Sequence, residues 1–425
     1  MLISISSNYA AISTILIAVT FIFLGYIFLF KKQDSKLNWA IFYSSLYISV
    51  TLPIINYLCI KFGLWNFTEE GINSIQLPFN IYFLWVVVWG VLPIFFLKGK
   101  YLLFIAVLMF WLDILIMPEL EKIGILTLNK NWVLGELMLI GFVFIPSYYW
   151  AFCSYNNKTN GIRALFQITV MSCIFLIGLP FILESYGLID TIQIYYAPFT
   201  FQLFVIIVFP SLVAVFDLVK KGKGTPFPYD STKNLIKTGI YAYCRNPIQW
   251  SFTLMFIPLS IYYSSFYFLI GSLVSIAYAF GVSDYQEYAD MKQRFGDDWS
   301  EYKKNVPKWR FLWKPKAIPK GEVFFDANCN QCSQISKWFS NSKAINLDIK
   351  SSSEFHNNTI LQVTYIDHNG MEFKSVNAIA CSLEHINLAY ATLGWFMRLP
   401  IINHILQLVI DTMDFDIKKD SCEIK

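Results

Sequence analysis

Residues 239–247 read Gly-Ile-Tyr-Ala-Tyr-Cys-Arg-Asn-Pro and stand directly before two apolar segments, Ile248 to Tyr263 and Phe266 to Val282. Ser264 and Ser265 separate the two segments, so the pattern predicts a helical hairpin. The segments are about 24 Å long at 1.5 Å per residue, which is short for a membrane span and also fits a re-entrant hairpin. Because both ends of a hairpin return to one side of a membrane, the polar residues that flank it are predicted to meet there.

The whole chain has the composition of a membrane protein. It has 425 residues, of which 56% are hydrophobic and 18% aromatic, and this is too apolar for a soluble protein of that length. Most of its apolar segments approach the roughly 20 residues that a spanning helix needs. They lie near residues 9–30, 37–60, 77–97, 101–118, 132–153, 164–183, 197–219, 248–263 and 266–282. We therefore predict a polytopic α-helical membrane domain of about nine helices, in which residues 1–196 have no assigned role.

The distribution of Lys and Arg predicts the orientation of these helices. If the N-terminus is outside, only Lys61, Lys122 and Lys130 fall in outside loops, as the positive-inside rule requires. The block from Lys220 to Pro247 and everything after Val282 are then cytosolic, which predicts a multi-pass protein of a bacterial-type inner membrane. The formal net charge of +4 follows from the same bias and requires no nucleic-acid partner.

Three acidic residues fall inside the apolar segments. Asp113 and Glu136 lie toward the predicted outer ends of their helices, which favours solvation at the interface over a functional role. Asp217 precedes Lys220 and Lys221 at the spacing of a local ion pair. A transporter is disfavoured, because the chain has no internal repeat and no charge deep in the predicted membrane region.

The hairpin and its flanks resemble the isoprenylcysteine carboxyl methyltransferase superfamily, which includes phospholipid methyltransferases. The matching residues are Gly224-Thr225-Pro226, Pro228, Gly239, Tyr241, Tyr243, Arg245-Asn246-Pro247, Glu287, Phe295-Gly296, Trp299, Tyr302 and Val306-Pro307. The resemblance covers about residues 197–313, within a predicted membrane methyltransferase domain of residues 197–315. It implies S-adenosyl-L-methionine (SAM) as the methyl donor and an isoprenylcysteine O-methyltransferase-like activity. The implied cofactor-binding residues are Tyr241, Tyr243, Arg245, Asn246, Pro247 and Glu287, and Arg245 is also assigned a catalytic role. Asn246 stands where the family commonly has His, and Tyr288 where it often has a second Glu.

The residue types at the start of the hairpin suit this cofactor on physical grounds. Asn246 is a good N-cap and Pro247 a good first helical residue, so the unpaired N–H groups there suit the cofactor's carboxylate. Glu287 suits its ammonium or sulfonium, and Arg245 suits a carboxylate or phosphate. Methyl transfer from a sulfonium needs alignment and exclusion of water. The predicted acceptor is lipid-like, or a small thiol or carboxyl compound, and it enters from the lipid bilayer.

A change in composition between Pro307 and Pro319 ends the membrane part, and residues 320–425 are predicted to form a cytosolic domain. Strands are predicted over 321–326 and 344–350, a helix over 329–340, and a hairpin over 360–367 and 371–375 that turns at Asn369-Gly370. Helices near 376–387 and 406–413 complete it. This order, with Cys329 and Cys332 in a Cys-x-x-Cys pair, predicts a small thioredoxin-like α/β layer.

The start of this domain, Asp326-x-x-Cys329-x-x-Cys332, resembles the DCC family of thiol-disulphide oxidoreductases, and Leu393 to Pro400 is also similar. The resemblance covers about residues 320–415 and implies a catalytic role for Asp326, Cys329 and Cys332. A helix N-terminus would favour the Cys329 thiolate, Cys332 would resolve a mixed disulphide with a thiol partner, and Asp326 would take or give a proton. The domain has no proline before Pro400, so the cis-proline of thioredoxins is missing and the pair is also a candidate redox sensor.

Two alternatives remain open at the level of sequence. Cys329, Cys332, Cys381 and His385 could form a Cys₃His zinc site, although we predict no metal. Alternatively, the helices are a non-catalytic platform and only the cysteine pair acts, as a membrane-anchored thiol-disulphide oxidoreductase or sensor. If both parts act, we expect the redox domain to present, reduce or gate the acceptor.

Overall fold

A computed structural model of the chain describes residues 35–68, 77–96, 101–189, 197–227, 232–325, 330–355 and 362–412, together with residues 18, 21 and 230. The side chains of residues 96, 282–288 and 330–332 are outside this description. The helix predicted over 9–30 therefore lies outside the described residues, apart from two positions. The chain divides into two compact units, Met1–Thr191 and Ile192–Lys425.

The first unit is built from apolar helices. They are α1 (Ser35–Lys61), α2 (Phe79–Gly90), α3 (Leu102–Lys122), α4 (Trp132–Leu139), α5 (Ile145–Tyr155), α6 (Asn160–Ser172) and α7 (Leu179–Ser185). Single π-helical turns join α4 to α5 and α6 to α7, so each pair forms one long helix. Two short antiparallel strands, β1 (Trp65–Phe67) and β2 (Leu126–Leu128), pair just beyond the ends of α1 and α3.

Asp113 and Glu136 lie in the interior of the first unit. Asp113 is 3% exposed and Glu136 is fully buried, so the prediction that they are solvated at the membrane interface is wrong. The reason is that α3 continues to Lys122, beyond its predicted end, and that the strand residue Trp65 covers this end of α4. A methyl group on Gly135 would overlap the Trp65 ring. The ring therefore packs against the residue that directly precedes Glu136.

Five described helices are long and apolar enough to cross a membrane. They are Ser35–Lys61, Leu102–Lys122, Trp132–Tyr155, Asn160–Ser185 and Ala197–Gly222. A bent pair, Leu388–Met397 with Pro400–Thr412, would be a sixth span if it were counted as one. A multi-pass helical membrane protein is therefore confirmed, whereas the count of nine stays a prediction.

The second unit begins with α8 (Ala197–Asp217), which a π-helical turn extends to Gly222. A 3₁₀ turn (Gly239–Ala242) follows, then α9 (Pro247–Leu254), α10 (Phe256–Tyr262), α11 (Tyr267–Tyr278) and α12 (Asp284–Asn305). The predicted hairpin is confirmed, because α9 and α10 run out to a turn at Ser264 (φ +49°) and α11 packs back on them. Polar contacts hold its two arms together: Ser275 Oγ lies 2.8 Å from Gln249 Nε2 and 2.7 Å from Thr253 Oγ1.

A four-stranded sheet forms the centre of the C-terminal part. Its strands are β3 (Gly321–Phe325), β4 (Leu347–Ser351), β5 (Thr364–Ile366) and β6 (Glu372–Lys374), in the order β4-β3-β5-β6. Strand β3 is parallel to β4 and antiparallel to β5, and β5 is antiparallel to β6. With α13 (Asn330–Asn341) between β3 and β4, the predicted order of strand, helix, strand and hairpin is confirmed. The thioredoxin-like class of this layer stays a prediction.

The helices after the sheet differ from the prediction. Instead of two helices near 376–387 and 406–413, the structure has α14 (Val376–Leu383), α15 (Leu388–Met397) and α16 (Pro400–Thr412). The sequence from Leu388 to Ile410 is almost continuously uncharged, so no hydrophobic period marked where α15 begins. The break between α15 and α16 lies just before Pro400, where a helix ordinarily ends.

Candidate functional site

The 3₁₀ turn before α9 depends on a glycine. Gly239 has φ +65°, and a methyl group added to it would overlap the carboxylate of Asp217 at the end of α8. Only glycine combines this left-handed conformation with so close an approach. The turn is thereby packed directly against α8.

Helix α9 begins as the sequence predicts. Asn246 occupies the N-cap position and Pro247 is the first helical residue. The Asn246 side chain makes no capping hydrogen bond to the α9 backbone. The first turn of α9 is therefore not capped by its own N-cap side chain.

Arg245 joins the two halves of the sequence motif. Its Nη1 donates to the Lys303 carbonyl at 3.2 Å, and its guanidinium lies 5.5 Å from the centre of the Trp299 ring. Its backbone N–H donates to the Pro307 carbonyl at 2.9 Å. The residues after the hairpin are thus in contact with those before it.

The rest of the second half of the motif packs on the first. Trp299, Tyr302 and Val306 are buried together, and the Tyr302 hydroxyl donates to the Tyr241 carbonyl at 2.8 Å. The Cys244 thiol lies 3.2 Å from the Lys308 carbonyl, and burial raises its pKa to about 12. Cys244 is therefore a protonated packing residue rather than a nucleophile.

The two motif tyrosines contact protein groups. The Tyr243 side chain is completely buried; its hydroxyl donates to the Glu384 carbonyl at 2.8 Å, and its ring lies nearly perpendicular to the Trp395 ring, with centroids 5.6 Å apart. The Tyr241 hydroxyl lies 3.5 Å from the Ala214 carbonyl. The described contacts of Tyr243 hold the C-terminal helices, and its predicted role toward a cofactor stays a prediction. The Glu287 backbone belongs to α12, but its side chain lies outside the described residues.

Behind the motif lies a buried ion cluster, formed by Asp217, Lys221, Glu384 and Arg398. Lys221 Nζ is 3.2 Å from Asp217 Oδ1, which confirms the predicted local ion pair. Arg398 lies 3.6 Å from the same Asp217 oxygen and 2.5 Å from Glu384 Oε1. Glu384 Oε2 in turn accepts from the Gly239 N–H at 3.1 Å.

Charge balance makes this cluster tolerable inside the protein. Two cations face two carboxylates, and Asp217, Glu384 and Arg398 are each at most 6% exposed. Buried charges are stable only when they are paired in this way. Sequence reasoning missed Glu384 and Arg398, and the one available signal was an arginine inside the otherwise uncharged run from Leu388 to Ile410.

The predicted cysteine site is only partly described. Asp326 and Cys329, and the side chain of Cys332, lie outside the described residues. The helix predicted over 329–340 is observed as α13, which begins at Asn330, one residue after Cys329. The redox roles of Asp326, Cys329 and Cys332 stay predictions.

Both ring nitrogens of His385 are in hydrogen bonds within the protein. Its Nδ1 lies 2.7 Å from the Ile345 carbonyl, and its Nε2 lies 2.9 Å from the Tyr365 hydroxyl. Since a carbonyl only accepts, Nδ1 carries the proton and Nε2 accepts from Tyr365. Burial also raises the pKa of the Cys381 thiol to about 12. Cys329 and the side chain of Cys332 lie outside the described residues, so the Cys₃His alternative stays a prediction; the described residues contain no group of three or more His, Cys, Asp or Glu side chains placed to hold a metal.

The phospholipid methyltransferase family matches residues 199–298 of the chain. This region contains most of α8, the 3₁₀ turn, the hairpin and the first part of α12, and it is less than half of the chain. Together with the membrane spans, the match supports an integral-membrane methyltransferase. It ends before the C-terminal sheet, so the resemblance of that part to the DCC family stays a prediction. No curated protein and no solved structure is significantly similar to the chain.

Proposed function

We propose that this protein is a SAM-dependent methyltransferase of the membrane, which methylates a lipid-like acceptor, or a small thiol or carboxyl acceptor, at the cytosolic face. The observation that carries the proposal is the contact of Arg245 with Trp299, Lys303 and Pro307. This contact joins the residue before the hairpin to the segment after it. Arg245 lies within the region that matches the phospholipid methyltransferase family, and its three partners lie just beyond the end of that region.

The residues at the entry of the hairpin fit the cofactor's polar groups. The first turn of α9 lacks a cap from Asn246, and the N-terminus of a helix attracts a carboxylate through its N–H groups and its dipole. Arg245 adds a fixed positive charge one residue before Asn246, and its contact with Trp299 holds the guanidinium in one orientation. Glu287 is the candidate partner of the cofactor's ammonium or sulfonium.

The protein's contribution to the reaction is then alignment. When bound, SAM supplies a methyl group on a sulfonium, which is already activated for transfer. Gln249 donates a hydrogen bond to Ser275, and a second hydrogen bond joins Ser275 to Thr253; together they hold α9 against α11, which suits a reaction that depends on geometry. The tight packing of Trp299, Tyr302 and Val306 under the 3₁₀ turn excludes water from that side.

An apolar face of the hairpin gives the acceptor a route from the lipid. Ile257 and Ile261 on α10 and Leu269, Leu273 and Val274 on α11 are exposed. In a membrane protein, such exposed apolar side chains ordinarily contact acyl chains. A lipid-like acceptor can therefore reach the hairpin sideways.

The binding of SAM to the purified full-length protein tests the proposal. We expect Arg245→Ala and Glu287→Ala each to weaken binding about 10- to 100-fold, because a hydrogen bond to a charged group is worth about 1.5–3 kcal/mol. Arg310→Ala is the matched control, since Arg310 is exposed and lies beyond the motif. Calorimetry that shows wild-type affinity in both site variants would overturn the assignment.

A second measurement identifies the methyl acceptor. Membranes that contain the protein are incubated with methyl-labelled SAM, and the extractable species that becomes labelled is identified. Label in a phospholipid amine, in a prenylated cysteine or in a small thiol decides among the proposed acceptors. Label in none of them, with SAM binding intact, would contradict this acceptor class.

A second candidate function is a membrane-anchored thiol-disulphide oxidoreductase or sensor. It is supported by the start of α13 at Asn330, which puts Cys329 directly before a helix and Cys332 in its first turn. A chain in which only this pair acted would not bind SAM. The calorimetric experiment therefore separates the two functions.

A further inference from the structure

The last two helices expose apolar side chains rather than bury them. Not one residue of α16 is buried, although more than half of its residues are Ile, Leu or Val, and Ile401 and Leu408 are 74% and 63% exposed. On α15, Leu393 and Phe396 are about half exposed. An exposed apolar patch of this kind marks a surface that contacts another protein or a membrane.

The one exposed charged side chain on these two helices is Asp411, in the last turn of α16. From Leu388 to Ile410 there is no Asp, Glu or Lys, and the single arginine, Arg398, is buried in the ion cluster. About a quarter of the residues in an ordinary soluble domain are charged. A 23-residue stretch without an exposed Asp, Glu, Lys or Arg is therefore suited to lipid and unsuited to water.

Helix α15 packs beside the end of a candidate spanning helix, which favours lipid as the cover of its exposed face. Ala391 and Trp395 pack in one cluster with Val213 and Ala214, near the Asp217 end of the spanning helix α8. Arg398, at the end of α15, pairs with Asp217 itself. Helix α15 is thereby packed on a helix that is long and apolar enough to cross a membrane.

Neither helix is long enough to cross the membrane by itself. They contain 10 and 13 residues and meet at 84°. At 1.5 Å per residue these lengths are about 15 Å and about 20 Å, which are short of the roughly 30 Å hydrocarbon core. Asn403 of α16 also exchanges side-chain hydrogen bonds with Asn377 of α14, at 3.1 Å and 3.4 Å, and so holds α16 against the C-terminal sheet domain.

We propose that α15 and α16 form a monotopic membrane anchor, whose exposed apolar face inserts into the lipid leaflet at the Asp217 end of α8. The partner is the acyl-chain region of that one leaflet. The anchor holds the C-terminal sheet domain at the membrane surface, and this inference does not depend on the methyltransferase activity.

Depth-dependent fluorescence quenching tests the anchor in the full-length protein. Cys329, Cys332 and Cys422 are replaced by Ser, and single cysteines are introduced as Ile405→Cys or Leu408→Cys, with Ser340→Cys on α13 as the exposed control. Each is labelled with an environment-sensitive fluorophore and reconstituted into vesicles whose lipids carry bromine at a shallow or a deep acyl position. The parent protein without an introduced cysteine measures labelling of the remaining native thiols.

We expect the labels at positions 405 and 408 to emit at shorter wavelength than the label at 340, and to lose emission most strongly with shallow bromines. Water-like emission without quenching at both positions would overturn the proposal. Energy transfer between labelled copies without lipid quenching would show that a second copy of the chain, and not lipid, covers this face, and would overturn the proposal. Strongest quenching by the deep bromines would indicate a membrane crossing and would also overturn a one-leaflet anchor.

Discussion

His385 is held neutral by its surroundings. Burial lowers its pKa from about 6.5 to about 4, and both ring nitrogens are already in hydrogen bonds. Between these two pH values the unfolded chain binds a proton that the folded chain does not bind. The free energy of unfolding therefore falls as the pH decreases from about 6.5 toward 4, and above 6.5 the stabilisation is complete.

A substitution of His385 tests this linkage. The pKa shift corresponds to about 3 kcal/mol lost by pH 4, so His385→Gln is expected to flatten the dependence of stability on pH in that window. His368→Gln is the control, because His368 is exposed in the turn between β5 and β6. Melting temperatures of the purified protein between pH 7 and 4.5 give both slopes. Equal slopes in His385→Gln and wild type would contradict a neutral buried His385.

At the scale of single elements, two glycines with positive φ have different surroundings. Gly239 begins the 3₁₀ turn with its Cα against the Asp217 carboxylate, whereas a methyl group on Gly296 (φ +53°), at the kink in α12, would meet no atom within 4 Å. Any other residue at either site is expected to cost about 1–3 kcal/mol of backbone strain. Only at Gly239 does overpacking add about 1–3 kcal/mol.

We therefore expect Gly239→Ala to destabilise the protein clearly more than Gly296→Ala. Because Gly239 leads into the Tyr243 to Pro247 segment, Gly239→Ala is also expected to weaken SAM binding, and Gly296→Ala to leave it near wild type. Thermal unfolding and calorimetry of the two variants provide the comparison. Losses of equal size would show that the contact with Asp217 does not matter.

Elements with local signals were predictable from the sequence, and those fixed by distant contacts were not. The hairpin followed from Pro247 and the serines at 264 and 265, and the β5–β6 turn from Asn369-Gly370, because turn chemistry acts over a few residues. The i,i+4 pair of Asp217 and Lys221 was predictable for the same reason. The burial of Asp113, and the partners of Arg398, depend on segments far apart in the sequence, and no local pattern encodes them.

At the scale of the whole molecule, packing continues across the change in composition between Pro307 and Pro319. The hairpin region and the C-terminal helices belong to one compact unit, Ile192–Lys425. Tyr243, Ala391 and Trp395 share a core cluster, and the Leu388 N–H donates to the Trp313 carbonyl at 2.8 Å. Glu384 completes the connection by binding both the Gly239 N–H and Arg398. The C-terminal part therefore supports the shape of the segment that leads into α9.

This connection predicts that Arg398, far from the hairpin in sequence, affects both stability and SAM binding. Arg398→Ala leaves Glu384 without its closest cation and Asp217 with Lys221 alone, and removal of one partner from a buried pair costs about 3–5 kcal/mol. Because Glu384 also holds Gly239, we expect a lower melting temperature together with weaker SAM binding, and partial recovery of both in Arg398→Lys. Arg310→Ala, at an exposed position, is expected to change stability by less than about 0.5 kcal/mol. Wild-type melting and binding in Arg398→Ala would mean that the ion cluster does not join the C-terminal domain to the methyltransferase segment.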